Sequence, residues 1–220
     1  MINFEDIKNS NEIKTYISKA DESLISLGYT EHSFAHVIKV ATVANEILAK
    51  LSEYDQRTLE LASIAGYMHD IGNVVNRVDH AQSGAIMAFR ILDKMGMDVS
   101  EIAKVISAIG NHDESTAVPV NEVAAAIILA DKSDVRRSRV RNRDFATFDI
   151  HDRVNYSVEH SSLNLDVNKK EIALNLTIDT KICAVMDYFE IFLQRMILCR
   201  RAAEFLRLRF KLVINDVVLL

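Results

Sequence analysis

The chain has 220 residues, 49% of them hydrophobic, with one Pro, six Gly and two Cys. That is enough to bury a real core in one main domain, and it excludes a turn-rich β fold or a disulfide framework. The net charge of −5 is mild but divided: residues 1–135 carry 11 Lys and Arg against 20 Asp and Glu, the rest 15 against 11, so a basic stretch begins just after Asp131.

Residues 9–27 place Ile13, Ile17, Leu24 and Leu27 on one stripe and predict a helix ending at Gly28. Residues 30–51 predict a second, with Phe34, Val37, Ile38, Ala41, Ala44, Ile47 and Leu48 at spacings of three and four. Asp55 is placed to cap a third, from Gln56 to about Ile71, with Gly72 where a left-handed cap residue belongs. Asp79 is placed to cap a helix from His80 to Lys94, which Gly96 follows. Ser100 opens another to about Asn111, and Asn121 opens one from Glu122 to about Arg137. Beyond Arg143, residues 154–165 and 171–180 show alternation, and Asp166-Val-Asn-Lys-Lys between them is turn-like, which predicts a β-hairpin. A long helix from about Lys181 to Lys211 follows, carrying Met186, Phe189, Phe192, Leu193, Met196, Ile197 and Leu206.

The expected fold is mainly α: a helical bundle over residues 1–143, with a hairpin-plus-helix extension over 144–220 that packs on it or serves a homodimer. The most apolar stretch, 182–198, is interrupted by Asp187, Glu190 and Arg195, which argues against a membrane span. Met1-Ile-Asn-Phe-Glu-Asp-Ile lacks the basic and apolar runs of a signal peptide. Cys183 and Cys199 lie too far apart along one helix to pair. Together these features predict a cytoplasmic protein with no membrane partner.

The residues that carry chemistry are His36, the pair His69-Asp70, His80, His112 and Asp131. Imidazoles and carboxylates suit borderline and hard divalent cations. More than thirty residues separate His36 from His69, so helix packing must assemble any common site. Adjacent helical residues diverge by about 100°, so His69 and Asp70 reach one ion only where their helix ends, and Ile71-Gly72 supplies an end. The run Ala62–Met68 predicts burial of that pair, and a buried Asp without a partner is costly. His36 lies in His32-Ser-Phe-Ala-His-Val-Ile-Lys-Val, where His32, four residues earlier, is expected at the surface or behind the ligand. Asp131 follows the apolar run Ile127-Ile-Leu-Ala.

The order H…HD…H…H…D resembles that of the HD-domain metal-dependent phosphohydrolase superfamily over roughly the first 140 residues. The resemblance implies that His36, His69, Asp70 and Asp131 hold one divalent metal. Asp79-His-Ala-Gln-Ser-Gly-Ala and Ile109-Gly-Asn-His-Asp-Glu resemble segments of two-metal members, which implies that His80 and His112 complete a second. One or two ions of Mn, Fe, Zn, Co or Ni are expected per chain. The implied reaction is attack of metal-bound hydroxide on a phosphoester or phosphoanhydride of a nucleotide or small phosphorylated compound.

The nearest motif is that of the bacterial HD-type diadenosine tetraphosphate hydrolases, H…HD…H…H…ADK, although their His-Thr is His112-Asp113 here. The HD-GYP proteins depart further: Asn73, Asp113 and Thr116-Ala-Val-Pro replace their Lys, second His and Gly-Tyr-Pro. The Glu-Asp pair of the guanosine-polyphosphate hydrolases has no counterpart. Mononuclear 5′-nucleotidase members fit if His80 and His112 are idle. Asp70 and Lys132 are assigned catalytic roles. Lys132, Arg136 and Arg139, at i, i+4 and i+7, with Arg77 after the HD pair, form either the substrate-binding charge or a solvated basic face. The run from Arg136 to Arg143 lacks aromatic interleaving, so nucleic acid is not the expected partner. Two other classes stay open: a nucleotide-binding sensor without turnover, and a dinuclear-iron oxygenase of the same fold.

Overall fold

The structure, a computed structural model, describes residues 1–219. Among these, helices α1 (Phe4–Asn9), α2 (Asn11–Ser26), α3 (Phe34–Leu51), α4 (Gln56–Met68), α5 (His80–Met95), α6 (Val99–Gly110) and α7 (Glu122–Lys132) form a bundle. α7 is its axis: every residue from Val123 to Ala130 is fully buried, so the helix is apolar all round and is walled by α3, α4, α6 and the later helix α9. Side chains set several starts as expected, with Asp55 accepting from Thr58 N and Asn121 from Ala124 N. α3 and α4 cross closely because Gly66 has no side chain; a Cβ there would lie 2.9 Å from Ala41 Cα.

Several local expectations are corrected. The third helix ends at Met68, and Ile71–Val74 form a separate 3-10 turn. Gly72 sits in that turn without a positive φ, so it is not a left-handed cap. Its role is steric, since a Cβ would fall 2.0 Å from the His80 carbonyl oxygen and 2.5 Å from Gly84 N. Asp79 does precede α5, but with φ of 56° and no side-chain cap bond. α7 stops at Lys132 rather than Arg137, because Ser133 and Asp134 turn their short polar side chains to local and tertiary partners.

Residues 150–157, partly expected as strand, form α8 (Ile150–Ser157), with Asp149 capping Asp152 N. The hairpin is present as β1 (Val158–Asp166) antiparallel to β2 (Glu171–Ile178). The long helix, α9 (Val185–Phe205), ends before Lys211; Arg207 takes φ of 58°, and the chain continues as β3 (Arg209–Ile214). β3 runs parallel to β2, pairing Ile172 with Phe210 and Leu174 with Leu212, so α9 is the crossover of a β-α-β unit. Asn215 and Asp216, both with positive φ, turn the chain into β4 (Val217–Val218). The four-stranded sheet has the order β1-β2-β3-β4. α9 packs on both α7 and β3, which brings its residues against the bundle centre. Among the described residues, no helix is long and apolar enough to cross a membrane.

Candidate metal centre

All six residues singled out by the sequence come together, each from a helix end. His36 lies in the first turn of α3, His69 caps α4, and Asp70 opens the 3-10 turn. His80 begins α5, His112 follows α6, and Asp131 is next to last in α7. His36 Nε2 stands 3.2 Å from Asp131 Oδ1 and 3.7 Å from Asp70 Oδ2. His69 Nε2 stands 3.3 Å from Asp70 Oδ2 and 3.9 Å from Asp131 Oδ1. The second oxygen of Asp70 faces the other way, with Oδ1 3.5 Å from His80 Nε2 and 3.8 Å from His112 Nε2. Asp70 thus joins two clusters of donors.

The imidazoles are oriented from behind. Nδ1 of His69 donates to Gly66 O, that of His80 to Arg77 O and that of His112 to Ile109 O, at 2.8, 3.0 and 2.6 Å. His36 Nδ1 donates to Asp134 Oδ2 at 2.8 Å. A carbonyl can only accept, so Nδ1 carries a proton in those three rings, and Nε2 is left as the atom that can turn a lone pair inward. His36 Nε2 and His69 Nε2 are buried with no hydrogen-bond partner. His80 Nε2 and His112 Nε2 face each other at 3.2 Å, two lone pairs in close opposition. A divalent cation meets both needs, and the donor set of neutral imidazoles and carboxylates is one it accepts. The cluster could therefore hold a divalent metal, and its three overlapping triads each bring ligand atoms within 4.8 Å of one another.

The electrostatics agree. Burial would raise Asp70 and Asp131, but His69 and His112 at Asp70, and Lys132 and His36 at Asp131, hold both well below the usual carboxylate range. Burial, only partly offset by Asp70, pushes His80 down to about 4, which leaves it neutral and able to ligate at pH 7. Burial also opposes protonation of His69, yet the Asp70 and Asp131 carboxylates raise it.

The basic residues are placed differently from expectation. Because α7 ends at Lys132, no helix face joins Lys132, Arg136 and Arg139. Arg136 pairs with Asp134 (Nε to Oδ1, 2.7 Å) and Glu31, and it does not line the cavity above the cluster. Lys132 does line it, buried between Glu114 Oε2 at 2.6 Å and Asp131 Oδ2 at 2.7 Å. Arg77 lines it too, over the Tyr29 ring and 3.2 Å from Asn73 Oδ1. The cavity encloses about 510 Å³, within the range of small-molecule sites. His32 is a wall residue behind the ligands, its Nδ1 on Thr30 O and its ring 5.5 Å from that of His36. His151 stands at the cavity mouth and His160 is exposed on β1.

Four contributors escaped the sequence reading. Asp134 is fully buried and takes Lys39 Nζ at 2.7 Å besides His36 and Arg136. Asn73 Nδ2 donates to Asp70 Oδ1 at 2.9 Å. Glu114 forms an ion pair with Lys132 and accepts from Arg195 of α9, whose Nε is 2.8 Å away. Asp113 Oδ1 lies 3.9 Å from His80 Nε2. The available signal for Asp134 was its place beside a helix C-terminus, where the dipole disfavours an anion unless it has partners.

A family model, that of the HD domain, matches residues 33–191. The span opens on Ser33, the cap of α3, and runs into α9. No curated protein and no solved structure matches the chain.

Proposed function

The chain belongs to the HD-domain family, and on that premise we propose that it is a metal-dependent phosphohydrolase acting on a small phosphorylated compound. The observation that carries the reading is the set of four imidazoles, each tethered at Nδ1, whose Nε2 atoms converge on Asp70 and Asp131. His36, His69, Asp70 and Asp131 would hold one cation; Asp70, His80 and His112 a second. A cation bound there supplies Lewis acidity and lowers the pKa of a coordinated water towards neutrality.

The rest falls to the chain's own side chains. Asn73 fixes the Asp70 carboxylate, which stays ionised. Lys132, held by ion pairs to Glu114 and Asp131 in the cavity wall, offers its ammonium N–H donors to a phosphoryl oxygen. Arg195 and Arg77 add guanidinium donors in the same cavity. Positive charge fixed in a largely buried site stabilises the charge that develops on phosphoryl oxygens. The oxygen of water bonds to phosphorus, the bond to the leaving oxygen breaks, and that oxygen leaves with a proton.

The test is release of inorganic phosphate from p-nitrophenyl phosphate with Mn²⁺ or Fe²⁺, before and after chelation. Activity that needs the ion and vanishes in Asp70→Ala supports the reading. Full activity in metal-free Asp70→Ala protein would rule it out.

A further inference from the structure

The outer half of the same cavity bears on what the phosphate is attached to. Its walls change character with depth. The His/Asp cluster and Lys132 are buried, while the wall formed by α8 and its cap runs from exposed Asp149 through half-buried Asp152 to buried Asn155. We infer that the substrate is a phosphorylated polyhydroxy compound, a sugar or polyol phosphate, with its phosphate at the buried cluster and its hydroxyls against α8. This rests on the phosphohydrolase reading.

Three observations carry the inference. First, Asp149, Asp152 and Asn155 recur at a spacing of three, so they share a face of α8 and rise about 4.5 Å per step. Each lines the cavity and keeps an oxygen free of hydrogen bonds, Asp149 accepting from Asp152 N at Oδ1 alone. Asn155 spends its Nδ2 donor on His151 O and retains its carbonyl oxygen, while Asp152 accepts from Asn142 at one oxygen only. A row of acceptors suits a row of hydroxyl donors.

Second, the cavity offers little to a nucleobase. Its aromatic rings other than histidine are Tyr29 and Phe192. Phe192 is 1% exposed, with the Arg195 guanidinium 4.6 Å over its ring, and Tyr29 carries Arg77 at 5.4 Å. Stacking is the usual grip on a base; Phe192 is too buried to supply it, and Arg77 occupies one face of the partly exposed Tyr29 ring.

Third, the two carboxylates on that wall repel a second anionic group. A polyphosphate chain laid beside Asp149 and Asp152 meets that repulsion, whereas an uncharged polyol does not. The reaction needs no further reactant. Water supplies the oxygen that bonds to phosphorus, the ester bond breaks, and the polyol oxygen leaves protonated.

The experiment compares kcat/KM of the full chain with Mn²⁺ for ribose 5-phosphate, adenosine 5′-monophosphate and p-nitrophenyl phosphate. Loss of a hydrogen bond to a charged acceptor is worth about tenfold or more. We therefore expect ribose 5-phosphate to exceed the nucleotide by at least about tenfold. Asp152→Ala should raise KM for ribose 5-phosphate by about tenfold and leave p-nitrophenyl phosphate unchanged, and Asp152→Asn should restore most of the loss. Asp152 is partly exposed, so neither change threatens the fold. Phosphate release without that preference, or a KM indifferent to Asp152→Ala, overturns this inference alone. No phosphate from any of the three substrates overturns the phosphohydrolase reading and this inference with it.

Discussion

Replacing Gly72 by Ala tests whether the turn after the HD pair exists to seat α5. The added Cβ would lie 2.0 Å from the His80 carbonyl oxygen, 2.5 Å from Gly84 N and 2.7 Å from Ser83 Oγ. Two of those three are backbone atoms of one helix, so no rotamer change relieves the clash and α5 itself must move. Overpacking of this kind costs about 1–3 kcal/mol, and the backbone clash puts Gly72→Ala near the top of that range. For a chain of this size each kcal/mol lowers Tm by about 2–4 °C, so a loss of roughly 6–12 °C is expected. The shift also carries His80 away from Asp70 Oδ1, now 3.5 Å distant, and should weaken the second metal cluster before the first. Gly110→Ala is the control: its Cβ would meet only Ala85 Cβ at 3.6 Å, an ordinary contact. Thermal melts of both variants, with metal stoichiometry measured alongside, decide the matter. A Gly72→Ala protein that melts like Gly110→Ala and binds the same number of ions would refute the steric argument.

Asp134→Asn should weaken metal binding by about 10–100-fold by loosening the hold on His36 Nδ1; an unchanged Kd for Mn²⁺ by calorimetric titration would show that Asp134 does not orient the ligand. Chelation should lower Tm, and restoring the ion at about 100 times its Kd should return about 2.7 kcal/mol, roughly 5–10 °C; a melting curve indifferent to chelator would contradict it. Burial pushes the Cys199 thiol up to about 12 and also raises Cys183, so at pH 8.5 both remain protonated and covered. Ellman's reagent should therefore find both thiols only after unfolding, and fast labelling of the native protein would show that α9 is packed differently.

What could be read from the chain was what repeats locally or stands in a known order. Stripes at spacings of three and four locate α2 and α3, and capping residues locate α4 to α7, to within about five residues. The six His and Asp residues were legible through their order, which resembles that of the HD family, and the packing of helix ends brings them together. The rest depends on contacts that no local window contains. Asp134 meets His36 across 98 residues, and Arg195 meets Glu114 across 81. β3 was absorbed into the preceding helix because Arg209-Phe-Lys-Leu-Val-Ile alternates only briefly, directly after a helical run; pairing with β2 decides its state. The sequence position of Gly72 suits a cap, whereas the close approach of α5 is visible only in three dimensions.

The central claim is that the buried His and Asp residues form a metal site, and metal content tests it most directly. Elemental analysis of protein purified without chelator should find about two divalent ions per chain, one for each cluster that Asp70 joins. Asp70→Ala protein, folded by circular dichroism, should lose them. Absence of metal from the wild-type chain, even after reconstitution with Mn²⁺, Fe²⁺ or Zn²⁺, would contradict the account.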